Sequence, residues 1–514
     1  MLSTLAMYLP QFHKTPENDK WWGEGFTEWT AVKGAEKLFE NHNQPRVPLN
    51  QNYYNLLEYD TMRWQADLMR KYHLDGMCIY HYWFKDGKRV LERPAENLLR
   101  WKDIHMPFCF CWANETWSRT WKKLSNANTW SSIYETKNNQ VKNGILMNQS
   151  YGREKDWEEH FNYLLPFFKD ERYIKLDGKP VFVIFKPRKI FSLWMMKKNF
   201  DTLAKRNGFP GIYTIGMEDK LCPGLDAGCT RQPYSAMSEY LMKNKNLCSS
   251  PMSYPYDKLW EIIQTQKIGS DKIYLSSFID YDNTPRMGKM GNIVSDTSPE
   301  IFYENFKKLY QKSLLIGNEF IFVNAWNEWG EGMYLEPDEK NKYAYLESLL
   351  KVIEECKNKK ISGNVLSDEI YDTEIEKKIK IREEHLEVNS RHDTLLDNWM
   401  GLRDSDTNFS FYFKKYGYNN VAIYGTGKLG IHLFYELKKS GVKVDYGIDR
   451  NYDTVIYPVD VYSPEQLLPK VDAIIITVID QYAEISKMLC AKMNSSMIPL
   501  EEIIEEILLD SQEH

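Results

Sequence analysis

The sequence predicts an α/β protein: a (β/α)8 TIM-like barrel followed by a small Rossmann-like α/β domain. Three observations lead there. Eight short apolar runs recur through the first 330 residues, with helical periodicity between most of them. Polar residues gather just past the C-terminal ends of those runs, where barrel enzymes carry their chemistry. Beyond a charged stretch, a strand, a glycine-rich turn and a helix follow one another from Asn420.

The strand runs are 4–9, 76–82, 107–112, 180–185, 211–216, 226–230, 272–278 and 320–325. Each is short, rich in aliphatic and aromatic residues and bounded by breakers or charge, as a strand covered on both faces should be. The first leads to Gln11 and His13. The second ends in Tyr80, His81, Tyr82 and Trp83, and the third in Trp112, Asn114 and Glu115 with Trp117 close behind. The fourth stops at Lys186. The fifth and sixth are the least regular. The seventh runs into Tyr281-Asp282-Asn283-Thr284-Pro285-Arg286, and the eighth into Trp326-Asn327-Glu328-Trp329-Gly330-Glu331-Gly332. Between them, helical spacing of apolar residues predicts helices over 62–72, 156–168, 193–206, 256–265 and 299–313, with another over 343–355 after the eighth strand. Residues 1–355 are therefore expected to form the barrel, 356–410 a helical linker and 411–514 the Rossmann-like domain. The linker carries dense charge over 369–391, as a solvated helix would.

Composition excludes several classes. A chain of 514 residues with a formal net charge of −6 and no basic stripe is not expected to bind nucleic acid. No apolar run is long enough to span a bilayer. The N-terminus has neither a basic leader nor a cleavage site before the first strand, so a cytoplasmic location is expected. The eight cysteines lack metal-ligand spacing and read as thiols. Fifteen of the sixteen tryptophans precede residue 330, an excess that suits a surface for flat sugar rings as well as a core.

In the C-terminal part, Val421–Tyr424 is an expected strand, Gly425-Thr426-Gly427-Lys428-Leu429-Gly430 opens a helix, and a strand over 442–448 closes on Asp449. Gly425, Gly427, Gly430 and Asp449 are the candidate cofactor-binding residues, because such a turn brings a phosphate to a helix N-terminus. The unit is about half a full dinucleotide fold. A folding or partner-binding module, a nucleotide or nucleotide-sugar site, and a nicotinamide site all remain open here.

The strongest chemical signal is the pair Glu328 and Glu331, set directly after a buried strand and interleaved with Trp326 and Trp329. Glycosidic chemistry uses two carboxyl groups, one exchanging a proton at the bridging oxygen and one managing charge at the anomeric carbon. These two are the expected catalytic residues. The expected substrate contacts are Gln11, His13, Glu28, His81, Trp83, Trp112, Asn114, Glu115, Trp117, Asp282, Arg286, Trp326 and Trp329. No metal is expected.

Five motifs in order carry a family resemblance: Tyr8-Leu9-Pro10-Gln11-Phe12-His13, Trp21-Trp22-Gly23-Glu24-Gly25-Phe26-Thr27-Glu28-Trp29, Trp112-Ala113-Asn114-Glu115, Asp282-Asn283-Thr284-Pro285-Arg286 and the Trp326 to Gly332 stretch. Together they resemble the WbsX-type proteins, glycoside hydrolase family 99-like proteins of O-antigen and capsular polysaccharide biosynthesis, over residues 1–355. The resemblance implies a barrel acting on glycosidic bonds with retention. It implies Glu331 as acid/base, and Glu328 as the base that frees a sugar 2-hydroxyl to attack the anomeric carbon. Gly330 stands where the related hydrolases commonly carry a bulkier residue. The implied partners are a glycan or nucleotide-sugar substrate and other polysaccharide-assembly enzymes, with no cofactor required for the barrel chemistry. Glycosyl transfer is the expected activity. An endo-acting mannosidase-like hydrolase, a non-catalytic glycan-binding scaffold and an NAD-dependent sugar oxidoreductase are the alternatives.

Overall fold

The computed structural model describes residues 2–118, 145–190, 192–244, 249–266, 272–357, 395–396, 398–403, 408–479 and 481–512. The charged stretch expected to form the linker, 369–391, lies outside the described residues. The chain divides into two compact units, Met1–Arg188 with Met196–Gly363 and Lys189–Met195 with Asn364–His514.

The first unit is a closed barrel of eight parallel strands. They are β1 (Ser3–Tyr8), β2 (Gly76–Trp83), β3 (Phe108–Trp112), β4 (Lys179–Ile184), β5 (Tyr213–Gly216), β6 (Ala227–Cys229), β7 (Ile273–Phe278) and β8 (Phe320–Asn324). Each pairs with its chain neighbours, and β8 closes on β1 with Ser3 opposite Phe320. Closure leaves no unpaired strand edge. All eight expected strand runs hold a barrel strand. β5 and β6 are short, which is why their sequence pattern is the least regular.

Five of the expected helices appear at or within a few residues of their predicted bounds as Tyr59–Lys71, Glu154–Phe168, Leu193–Arg206, Tyr256–Thr265 and Pro299–Leu315, and the sixth as Ala344–Lys357. Among the described residues of this unit five others, Pro16–Trp22, Glu28–Lys33, Arg93–Arg100, Tyr234–Lys243 and Thr284–Met287, were not expected. None exceeds ten residues, so each is shorter than the window over which helical periodicity is read. Covered outside by helices and filled inside by side chains, strands such as β3 and β7 are buried at every residue. That removes the in–out alternation that would otherwise tell the two faces apart.

The second unit is a five-stranded parallel sheet made of β9 (Asn420–Tyr424), β10 (Lys443–Ile448), β11 (Val461–Tyr462), β12 (Ala473–Ile476) and β13 (Ser496–Pro499). Their order across the sheet is β11-β10-β9-β12-β13. Helices Lys428–Lys439, Tyr482–Cys490 and Leu500–Gln512 accompany it. Leu395, Trp399 and Leu402 pack into its core beside Val421 and Ile423. At the glycine turn Gly425 has φ +87°, and a Cβ built on Gly430 would overlap the Gly425 carbonyl oxygen. The turn and the helix behind it therefore touch backbone to backbone, which only glycine permits.

Among the described residues no helix is long and apolar enough to cross a membrane, no disulfide forms and no three His, Cys, Asp or Glu side chains group as metal ligands.

Candidate active site

A cavity of about 430 Å³ opens at the C-terminal ends of the barrel strands. Its wall draws on all eight strand ends, including Gln11, Tyr80, Tyr82, Glu115, Trp117, Phe185, Lys186, Met217, Arg231, Tyr234, Tyr281, Arg286, Glu328 and Glu331.

The eighth strand end shows how the sequence builds this wall. After β8 the Trp326 N–H donates to the Met7 carbonyl at 2.7 Å. The Asn327 side chain accepts from Leu9 N–H at 2.7 Å and donates to Leu9 C=O at 3.0 Å, which locks the ends of β1 and β8 together. Asn327–Glu328 then pairs with Met333–Tyr334 as a small hairpin, closed by a one-turn 3₁₀ helix over Trp329–Glu331 and left-handed Gly332. Glu328, at the N-cap of this turn, and Glu331, its last residue, both line the cavity. Trp329, between them, turns inward onto Tyr334 (ring centroids 3.7 Å apart) and donates to Glu336 at 2.7 Å.

Arg286 joins the carboxylates. Its Nη1 donates to Glu331 at 2.6 Å, its Nη2 to Glu328 at 3.0 Å, and its Nε to Glu28 at 2.8 Å. Burial works against its charge, but Glu28, Glu331 and Glu328 hold its pKa well above the usual arginine value. Tyr234 donates its hydroxyl to the other Glu331 oxygen at 2.5 Å. Burial pushes Glu328 up to about 8. Arg286 opposes that rise, and the neighbouring charges of Glu331 and Glu28 add to it. Glu328 therefore holds its proton through neutral pH in the free protein.

Gly330 lies against this cluster. A Cβ there would overlap the Glu28 carboxylate and stand 2.8 Å from Arg286 Nε. The departure from a bulkier residue noted in the sequence is thus a packing requirement of the Glu28–Arg286 pair.

Asp282 stands behind the cluster. One oxygen accepts from the Thr284 N–H and hydroxyl, at 3.0 and 2.6 Å, at the start of the short helix Thr284–Met287 that carries Arg286. The other accepts from His42 at 3.0 Å and Gln44 at 2.7 Å. Burial opposes its ionisation, but the hydrogen bond from His42 and the charge of Arg46 bring it down to about 2. Its backbone N–H donates to Glu331 C=O at 2.7 Å, so it sets Arg286 against the glutamate turn.

Of the expected substrate contacts, Gln11, Glu28, Glu115, Trp117 and Arg286 line the cavity. Eight others need correction, because each is buried away from the wall. Asp282 is only 1% exposed and spends its oxygens on protein donors. His13 is buried, with burial and Arg93 lowering its pKa to about 4. His81 pairs with His160 at 2.9 Å among aromatic rings, and burial followed by Arg89 lowers its pKa to about 3. Trp83 stacks on His160, and Trp112 donates its indole N–H to the Trp83 carbonyl. Asn114 ties β3 to β4 by donating to Lys186 C=O and accepting from Lys186 N–H. Trp326 and Trp329 are fully buried.

The sequence reading missed Tyr80, Tyr82, Phe185, Lys186, Arg231, Tyr234 and Tyr281 on the wall. On β2 the error is one of parity: adjacent side chains point to opposite faces, so choosing His81 and Trp83 selected the wrong one. For Lys186 and Arg231 the available signal was position alone, directly after β4 and just after β6.

In the second unit Asp449 accepts from the Thr426 N–H at 2.9 Å and hydroxyl at 2.8 Å, and from the Asn451 N–H at 2.9 Å. Burial opposes its ionisation, and these hydrogen bonds lower its pKa below the usual value. The carboxylate thus occupies one N–H of the glycine turn, whereas a Cβ on Gly427 would meet open space.

Comparison with known proteins adds the following. The profile of the family described as "Glycosyltransferase WbsX" matches residues 4–349. Proteins described as "Uncharacterized protein WxcX" from two strains of Xanthomonas campestris pv. campestris are 30% identical over 355 residues, 67% of this chain and 48% of their own. The chain thus spans about half the length of the curated relatives it matches. Among solved structures, the GH99 endo-alpha-mannosidase from Bacteroides thetaiotaomicron is 14% identical with a TM-score of 0.41, covering 70% of this chain and 98% of its own. A glycoside hydrolase-like protein is 12% identical with a TM-score of 0.42, covering 68% of this chain and 93% of its own.

Two outcomes are expected. Gly330→Ala should push Glu28 from Arg286 and destabilise the barrel by roughly 1–3 kcal/mol, read as a shift in the urea midpoint. Glu328 has a folded pKa above its unfolded value, so its contribution to stability is complete below about 4.5 and is lost as pH rises through about 8. The melting temperature of Glu328→Gln relative to the native chain should therefore increase between about pH 5 and about pH 9.

Proposed function

This chain belongs to the WbsX glycosyltransferase family, and we propose that its barrel catalyses retaining glycosyl transfer in surface-polysaccharide (O-antigen or capsule) biosynthesis. The observation that carries the proposal is the Glu328 and Glu331 pair at the two ends of one 3₁₀ turn, sharing Arg286 at the cavity wall. Tyr80, Tyr82 and Trp117 supply aromatic surface beside it, with Trp117 edge-on to Tyr82 at 5.2 Å between centroids. Such surface suits the apolar face of a sugar ring.

In this reading Glu328 is the base. A carboxylate held near pKa 8 is a stronger base than an ordinary glutamate, and a catalytic group performs best with its pKa near the working pH. It takes the proton of the sugar 2-hydroxyl, whose oxygen then attacks the anomeric carbon. The one proton of the pair, carried by Glu328 in the free protein, passes to Glu331 as Glu328 engages the 2-hydroxyl; Glu331 gives it to the departing oxygen and recovers one from the acceptor in the second half. Tyr234 and Arg286 fix its two oxygens in place. Arg286 keeps the carboxylates close despite their mutual repulsion, and Asp282 positions Arg286.

The barrel chemistry requires no cofactor in this reading, and the reaction belongs in the cytoplasm, where activated sugars are made. A nucleotide or nucleotide-sugar at the C-terminal glycine turn is a separate proposal. The open space at Gly427 supports it, and the contact of Asp449 with Thr426 limits it to the remaining N–H groups.

The test is product analysis with nucleotide sugars and lipid-linked acceptors, run beside free oligosaccharides in water. Transfer to the acceptor is the expected outcome, and release of free sugar alone would favour hydrolysis. Glu328→Gln and Glu331→Gln should each lower turnover at least ~10²-fold. The change of native activity with pH near 8 should be absent from the residual Glu328→Gln activity. Near-normal turnover in both variants would rule the mechanism out.

A further inference from the structure

The cavity has a second charged flank that the carboxylate chemistry does not use. Lys186 follows β4 and Arg231 lies just beyond β6; both reach the cavity wall. The Arg231 guanidinium sits 4.8 Å over the Phe185 ring and 5.6 Å over the Tyr234 ring. Rings occupy the faces of a guanidinium and leave its N–H edges for a planar or tetrahedral anion. Among the described residues no side chain accepts from those edges. Among the described residues no carboxylate pairs with Arg231, and its Nε is buried without an acceptor. Its neighbours differ: Lys186 is 3.6 Å from Glu115, and Arg188 is 3.9 Å from Glu218. A buried donor left unmade costs roughly 1–3 kcal/mol, so a site that leaves one open is poised for a ligand that accepts from it.

We propose that Arg231 and Lys186 form an anion subsite that takes the phosphate or diphosphate of an activated glycosyl donor. The opposite wall sets the Glu28 and Glu331 carboxylates against the single charge of Arg286, a net negative balance that leaves this flank the better place for the donor phosphate. The two flanks meet at Tyr234, whose ring carries Arg231 and whose hydroxyl donates to Glu331 at 2.5 Å. A diphosphate on Arg231 is thereby next to the carboxylate that works on the departing oxygen. In net terms the anomeric C–O bond to the diphosphate breaks with its electron pair leaving on the diphosphate, where Arg231 and Lys186 offset the charge. A C–O bond forms to the acceptor oxygen, and the acceptor's proton replaces the one that Glu331 gave to the departing oxygen, so the carboxylate pair ends as it began. Burial and the adjacent Arg231 both lower the Lys186 pKa, and Glu115 and Glu218 oppose them.

This inference deepens the transferase reading and rests on it for the donor's identity. The test uses calorimetry on the full chain, titrated with inorganic pyrophosphate, with UDP and GDP, and with a short polyprenyl diphosphate in detergent micelles. The native chain should bind pyrophosphate, and Arg231→Gln should weaken it about tenfold or more, the scale of one lost charge-assisted hydrogen bond. Lys186→Gln should weaken it in the same direction, and Arg231→Lys should keep more binding than Arg231→Gln, with circular dichroism unchanged. If Arg231→Gln fails to fold, Lys186→Gln and Arg231→Lys decide. Whether UDP and GDP or the polyprenyl diphosphate gains most over pyrophosphate identifies the donor's carrier. Diphosphate binding that is indifferent to both glutamine variants would overturn the proposal and assign the binding elsewhere in the chain. So would a native chain that binds glucuronate and no diphosphate. Glu328→Gln separates the two readings. It should bind pyrophosphate normally while losing turnover; full turnover in Glu328→Gln would sink the carboxylate mechanism and leave the subsite standing.

Discussion

One guanidinium, that of Arg286, meets three carboxylates at the mouth of the barrel, and the active-site wall depends on it. Carboxylates crowded into a partly buried wall repel one another and favour protonation. An arginine is the side chain able to answer three of them, because its donors point along three separate directions from one plane. The rest of the local structure serves this contact. Gly330 keeps its Cβ position empty so that Glu28 can approach, Asp282 anchors the short helix that carries Arg286, and Asn327 fastens the glutamate turn to the end of β1. Charge is still not fully balanced. Glu328, the most deeply buried member of the Glu328 and Glu331 pair, takes up the excess by holding a proton to about pH 8.

Much of the fold was legible in the sequence because parallel barrel strands are short apolar runs bounded by breakers, and all eight stand out as such. The position of Glu328 and Glu331 was legible for a related reason: two glutamates directly after a buried barrel strand lie at the barrel mouth. The wall around them was harder to read. A strand covered on both faces shows no alternation of polar and apolar residues, so nothing in Tyr80-His81-Tyr82-Trp83 says which two face the cavity. Tryptophan misled for a similar reason. Trp112, Trp326 and Trp329 sit beside the site in sequence, but their large rings fill the layer beneath it. Trp117, past the strand end, is the one of those four at the wall. Arg231 gave no signal beyond its position, because an arginine after a three-residue strand looks like any surface cation.

The cavity thus has two chemical halves. The carboxylate wall is arranged by Arg286. The opposite flank holds Arg231 on aromatic faces, its Nε without an acceptor among the described residues. Tyr234 belongs to both, its ring against Arg231 and its hydroxyl on Glu331.

The account turns on Glu328 carrying its proton at neutral pH while Glu331, three residues away, shares its arginine. The most direct measurement is a carbon-13 NMR titration of the glutamate side-chain carboxyl groups, with Glu328→Gln used to assign the signal. One carboxyl resonance should titrate near pH 8 in the native chain and vanish in the variant. Buried Glu336, pushed up to about 7, also titrates in this range, so a native spectrum whose high-titrating glutamate signals all persist in Glu328→Gln would contradict the assignment.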